Sequence, residues 1–217
     1  MRNRLNIFFL SLVFGLVLVT ASPLGAHEIP SDVTVQIFLR PEGHTLNALV
    51  RVPLKAMRDV NFPERGPGYL DIDATKSLLA DAATLWVSNF MQIYEGEVLL
   101  PGPKVTATQI SFESDRSFLS YEQALAHVEG PSLPEETEIY WNQPVLDVRF
   151  EYPIVSDQSR FSVNPDGLWR LGQRTTVVLR FVELNGAIRA FEFDEAPQLV
   201  RMDPEWYQAG LRFVRMG

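Results

Sequence analysis

The sequence has no cysteine in 217 residues. That excludes disulfides, thiolate metal sites and a cysteine nucleophile. Exported bacterial proteins often lack disulfides, so this absence does not place the chain in the cytosol. Histidine is also scarce, with His27, His44 and His127 the full set. Catalytic signatures are missing as well: there is no Gly-x-Ser-x-Gly elbow, no His-Glu-x-x-His and no phosphate loop. No loop has calcium-binding spacing, and there is no repeat or low-complexity segment. Basic residues are in deficit, which removes the electrostatic footprint of a nucleic-acid binder.

The one long apolar run lies at the start. Arg2 and Arg4 precede Leu5 to Val19, and Thr20-Ala21-Ser22-Pro23-Leu24-Gly25-Ala26 follows. This is the layout of a secretory signal peptide, with the apolar run short of the ~20 residues that a membrane-crossing helix needs. Cleavage is expected after Ala26, with a cut after Ala21 as the alternative. An uncleaved anchor would have to accommodate the helix-breaking Pro23. Setting residues 1–26 aside leaves 17 Lys+Arg against 27 Asp+Glu, a formal charge of −10. The remaining residues, 27–217, suit one domain with a core of its own. No later segment is long and apolar enough to cross a membrane.

Strand signals dominate that domain. Val33, Val35, Ile37 and Leu39 alternate with more polar neighbours, as do Leu46, Ala48, Val50 and Val52 beyond the turn at residues 41–44. This predicts a hairpin with one buried face. Val148, Phe150 and Tyr152 alternate with Asp147, Arg149 and Glu151, which predicts a strand with one wet face. Asn185-Gly186 between two alternating runs predicts a second hairpin. Residues 75–90 change to a helical period, capped by Asp73 or Thr75. A short helix is expected over 121–128, ended by Gly130-Pro131. Shorter strands are expected around a turn at Glu95-Gly96 and over 104–112. The fold expected is mainly β: a single β-sandwich, immunoglobulin-like in outline, with one or two inserted short helices over residues 27–202. Residues 203–217 read as an amphipathic tail or juxtamembrane linker. Trp86, Trp141, Trp169 and Trp206 are expected as core or interface anchors.

Several longer strings carry a resemblance. Ala26-His27-Glu28-Ile29-Pro30, Val50-Arg51-Val52-Pro53-Leu54, Ala56-Met57-Arg58-Asp59-Val60, residues 65–71 (RGPGYLD) and residues 81–86 (DAATLW) resemble the N-terminal exported region of HupE/UreJ-like bacterial membrane proteins. The resemblance covers essentially the whole chain after the leader. It implies a periplasmic location or one at the outer face of the inner membrane, beside a bundle of membrane helices. The family's link with nickel attaches to that membrane part, whose residues have no counterpart in this sequence. The expected role is a non-enzymatic module that binds a metal ion or a partner protein for a metal-handling membrane system. The alternatives are a structural domain packing on the membrane bundle and an envelope hydrolase.

Two sites follow from the residues. If the leader ends at Ala26, His27 becomes the N-terminus, and its amine and ring can chelate copper or nickel, with His44 or His127 completing the site. A solvated His27 with no ligand is the competing reading. The second expectation is a contact surface for a membrane-protein partner over 58–70, with Arg58, Phe62, Arg65 and Tyr69 as contact residues. Prolines and glycines alternate in that loop, and loops carry binding while scaffolds carry stability. The loop carboxylates Glu135, Glu136 and Glu138 read as solvated surface.

Overall fold

Alternating runs pair into two main sheets in the computed structural model, which describes residues 29–203. The segment read as a leader, His27, and the segment after Asp203 read as an amphipathic tail lie outside the described residues. Six strands form the larger sheet in the order β11-β10-β1-β2-β8-β7. These are β1 (Asp32–Glu42), β2 (Thr45–Pro53), β7 (Lys104–Ser111), β8 (Val145–Pro153), β10 (Arg174–Val182) and β11 (Ile188–Phe193). All pairings are antiparallel except β1 with β10, which is parallel. The smaller sheet has the order β12-β9-β5-β6, from β5 (Gln92–Glu95), β6 (Val98–Leu99), β9 (Phe161–Asn164) and β12 (Val200–Arg201). A two-stranded ribbon, β3 (Glu64–Arg65) and β4 (Tyr69–Leu70), stands apart. The fold is mainly β and sandwich-like with short helices, as the alternation predicts.

The inner face of the large sheet holds the main core. Ile37, Leu39, Ala48, Val50, Val148, Phe150, Val177 and Leu179 are all fully buried there. They share one cluster with Ile93, Phe161 and Val163 of the small sheet and with Leu79, Ala82, Ala83 and Trp86 of helix α1 (Ile72–Trp86). The apolar stripe at three-and-four spacing is what lets α1 cover this face. The helix starts slightly earlier than the period predicts. Its cap is Asp71, not Asp73 or Thr75: the Asp71 side chain accepts from Ala74 N at 3.0 Å. Thr75 is instead buried inside the helix. Among the described residues no helix is long and apolar enough to cross a membrane.

The outer face departs from expectation. A strand with one solvated face should expose Asn47, Arg51 and Asp147, yet these are only 2%, 4% and 0% exposed. The cover is the chain from Phe112 through helix α2 (Tyr121–Val128), which leaves edge strand β7 and folds back over the sheet. Phe118, Tyr121, Ala124 and Val128 pack there on Phe38, Leu49 and Val182 as a second, smaller core. Ser120 caps α2 by accepting from Gln123 N at 3.3 Å. Gln109 donates to the Pro131 carbonyl at 2.6 Å and fixes the chain beyond the helix.

The hairpin at Asn185-Gly186 forms through a type I turn followed by one left-handed residue. Gly186 N donates to Glu183 O, Glu183 N donates to Ala187 O, and Gly186 has φ +84°. Glycine adopts that conformation without the penalty a Cβ brings.

Candidate functional site

The densest group of chemically capable side chains lies under the outer cover. Arg51 on β2 and Asp147 on β8 are direct cross-strand partners. Arg51 Nε donates to Asp147 Oδ1 at 2.6 Å and Nη2 donates to Oδ2 at 2.7 Å, a bidentate pair. The same guanidinium reaches the covering loop: Nη1 donates to the Asp115 carbonyl at 2.7 Å and Nη2 to its carboxylate at 2.8 Å. Its flat face lies 4.4 Å from the centre of the Phe118 ring. Ser111 and His127 complete the cluster. Ser111 Oγ donates to Asp147 Oδ2 at 2.6 Å and lies 2.7 Å from His127 Nε2, which is itself 3.3 Å from Asp147 Oδ2.

Electrostatics follow from this geometry. Burial opposes ionisation of Asp115, but hydrogen bonds from Ser117 and Arg51 outweigh it and hold the carboxyl down at about 2. The hydrogen bond with Asp147 raises the His127 pKa above the ordinary histidine value, against a smaller effect of burial. Burial disfavours the Arg51 charge too, yet Asp147 and Asp115 more than compensate. With His127 protonated, two cations face two carboxylates and the buried group is neutral as a whole.

Two chemistries were conceivable for these residues, and the arrangement fits neither. In a nucleophilic triad the histidine accepts the serine proton and a carboxylate holds its other nitrogen. Here Ser111 Oγ and Asp147 Oδ2 both lie at the same nitrogen, His127 Nε2, at 2.7 and 3.3 Å, so Asp147 does not hold the other ring nitrogen. Ser111 is also only 1% exposed, which closes it to a substrate. For a metal, ligand atoms of Asp115, His127 and Asp147 come within 4.8 Å of one another. The Arg51 guanidinium already occupies both carboxylates, and a proton held on His127 competes with coordination. Arg51 is the cation this donor set holds.

His44 and His127, the two histidines among the described residues, do not share a cluster of metal-ligating groups. His44 lies in the β1–β2 turn, where Nδ1 donates to the Val155 carbonyl at 2.8 Å and its own carbonyl accepts from Ile154 N. It has no place in the one three-ligand cluster among the described residues. His27 lies outside those residues.

The predicted contact loop divides into anchors and a presented part. Phe62 is 8% exposed and belongs to the core, so its side chain is not offered to a partner. Arg58 donates to the Arg170 carbonyl at 2.9 Å and lies over the Trp86 ring, joining α1 to the 166–171 turn. Arg65 donates to the Thr137 carbonyl at 2.9 Å. Backbone bonds from Leu70 N to Ile139 O and from Trp141 N to Gly68 O lock the ribbon to residues 137–141, and Asp71 N donates to Pro63 O to close the ribbon at its base. Gly66 and Gly68, at φ +58° and +96°, make the bends possible. What this frame presents is Tyr69 beside Tyr140, with ring centres 4.7 Å apart and planes tilted by 33°. Tyr140 is 44% exposed. The Tyr140 hydrogen bond raises the Tyr69 pKa, with the charge of Glu138 adding to it.

Sequence reasoning missed Arg51, Ser111, Asp115, Asp147 and Tyr140. A signal existed for two of them: single opposite charges inside the apolar runs at Val50-Arg51-Val52 and Leu146-Asp147-Val148 suit a cross-strand ion pair. Tyr140 has no local signal, because its role comes from the distant ribbon that packs on it. A cleft of about 650 Å³ has Phe161 and Phe181 in its lining with two arginines, of which Arg189 is held by Glu183 and the Met202 carbonyl and Arg160 lies 3.7 Å from Asp203. Compared with protein-family models and with curated proteins, the chain matches none.

Proposed function

We propose that this protein is a non-enzymatic module of the bacterial cell envelope that docks a partner protein through the Tyr69–Tyr140 corner. It serves a metal-handling membrane system of the HupE/UreJ-like kind. The observation that carries this reading is the rigid presentation of two contacting tyrosine rings, Tyr69 partly exposed and Tyr140 exposed, at one corner of the surface. Two backbone bonds and one from the Arg65 side chain tie the ribbon to residues 137–141, so the rings are ordered before a partner arrives. Ordering paid before binding lowers the cost of association, and exposed tyrosines are favoured anchors. The leader-like start and the strings shared with the family support export and the membrane partner. The enclosed Ser111 hydroxyl weighs against the hydrolase alternative.

The test is co-purification from the producing cells. Tyr140→Ala and Tyr69→Ala should lose the membrane partner while keeping the circular dichroism of the parent. Deletion of residues 62–68 is a poorer probe, since removing core residue Phe62 would disturb the fold. Retention of the partner by both tyrosine variants would defeat the reading.

A metal role rests on His27 as a second reading, because the leader pattern would make it a free N-terminus. Copper(II) titration should then show one site that is lost when a residue is added before His27. A site that instead disappears in His127→Gln would return the metal to the Arg51 cluster.

A further inference from the structure

We infer that the partner segment docking at the Tyr69–Tyr140 corner is cationic, with arginine side chains stacking on the tyrosine faces. This rests on the docking reading and adds the chemistry of the partner. The tyrosine rings supply apolar, electron-rich faces, and carboxylates surround them. Glu64 Oε2 and the Tyr140 ring converge on one point above Gly68, at 3.6 and 3.8 Å from where a Cβ would stand. Glu138 is exposed and close enough for its charge to act on Tyr69. A shallow depression of about 430 Å³ adjoins the corner through Ile139, with exposed Phe112 and Glu113 on its wall. Among the described residues the loop's own cation, Arg65, forms no ion pair with these carboxylates, and its Nη2 donates to the Thr137 carbonyl instead.

An aromatic face beside a carboxylate matches a guanidinium better than any other side chain. The planar ion stacks on the ring while its N–H fork pairs with the acid. Lysine can satisfy the charge but stacks less well. An acidic segment would meet repulsion from Glu64, Glu113 and Glu138, so the corner selects partners by sign as well as by shape. Surface pairs of this kind are screened by ions, and binding should weaken with salt.

The experiment is an NMR titration of the purified protein with hexa-arginine, hexa-lysine and hexa-glutamate peptides at low and high salt. Hexa-arginine should shift the amides of Tyr69, Tyr140, Glu138 and Phe112 and bind more tightly than hexa-lysine. Hexa-glutamate should leave them unmoved. Tyr140→Ala should weaken hexa-arginine binding roughly tenfold, the scale of a partly desolvated cation–aromatic contact. Tyr140→Phe should retain it, since the ring face and not the hydroxyl is used. Glu64→Gln with Glu138→Gln should weaken binding and flatten the salt dependence without touching the rings. Equal binding of hexa-arginine to the parent, Tyr140→Ala and the double glutamine variant would overturn the inference, as would shifts centred elsewhere. If co-purification depends on Tyr140 yet hexa-arginine does not bind, the docking reading stands and the cationic partner falls. If neither depends on Tyr140, both fall.

Discussion

The Arg51 cluster and the Tyr69–Tyr140 corner are opposites in what they leave available. The cluster gathers a serine, a histidine, two aspartates and an arginine, the residue types from which active sites are made. Its hydrogen bonds close on one another, and Ser111 and Asp147 are essentially hidden from solvent. The corner contains neither a serine nor a histidine, yet its backbone is fixed, Tyr140 is exposed and Tyr69 is partly so. Catalytic residue types therefore mark, in this molecule, the clamp that holds a cover on the sheet. The available surface is the less conspicuous one, and the two regions should respond to mutation in opposite ways.

The largest effect should follow from breaking the clamp. Asp147→Ala leaves the Arg51 guanidinium buried without its main partner, and the expected loss is about 3–5 kcal/mol in guanidinium unfolding. Replacing both members, Arg51→Met with Asp147→Leu, should recover most of it, because matched apolar groups carry no unpaired charge. Truncation on the inner face has no such rescue: Phe150→Ala should cost about 3–5 kcal/mol through a cavity in the main core. A loss below about 1 kcal/mol for Asp147→Ala would mean the clamp is not closed as described.

A smaller effect should appear with pH. The folded-state pKa of His127 is raised, so its contribution is complete below the unfolded value near 6.5 and is lost as pH rises through the folded value. The folded-state pKa of Asp115 is lowered to about 2. Its contribution is complete above the unfolded value, near 3.9, and is lost as pH falls toward 2. Unfolding midpoints should therefore decline on both sides of a plateau between about pH 4 and 6.5. His127→Gln should remove the alkaline decline, and Asp115→Asn should reduce the acid one. Glu95 also contributes to the acid decline, because burial is outweighed by hydrogen bonds from Ser159, Val155 and Ser156 that lower its pKa. An alkaline limb that survives in His127→Gln would assign that titration to another group.

The smallest effect on stability belongs to the corner. Tyr140→Ala removes a half-exposed ring from a frame held by backbone bonds, so it should cost no more than about 1 kcal/mol. The same change should abolish partner capture. A large loss of stability would make the tyrosine pair a structural support and remove the contrast with the clamp.

How much of this could be read in the sequence differs between the two faces of the large sheet. Inner-face strands and both helices are local patterns, carried by alternation at Val33–Leu39 and Leu46–Val52 and by the helical stripe of α1. The outer cover is a tertiary event. Alternation marks Asp147 as the polar side of β8, which is true, but whether that side meets water depends on residues 112–128 folding back over it. The parallel pairing of β1 with β10 likewise joins segments far apart in the chain. At the corner, the prolines and glycines of residues 63–68 announce a shaped loop, while its stacking on Tyr140 needs the 137–141 segment brought alongside. Phe62 shows the limit of reading such a loop as surface throughout, since its ring belongs to the core.

The contrast is tested most directly by photo-crosslinking in the producing cells, with benzoylphenylalanine placed at position 140 or at position 119. Leu119 is 71% exposed and sits on the cover beside the clamp, between Phe118 and the start of α2. The account predicts a discrete adduct with a membrane-protein partner from position 140 and none from position 119. An adduct from position 119 alone would move the docking surface to the cover over the Arg51 cluster and contradict docking at the Tyr69–Tyr140 corner.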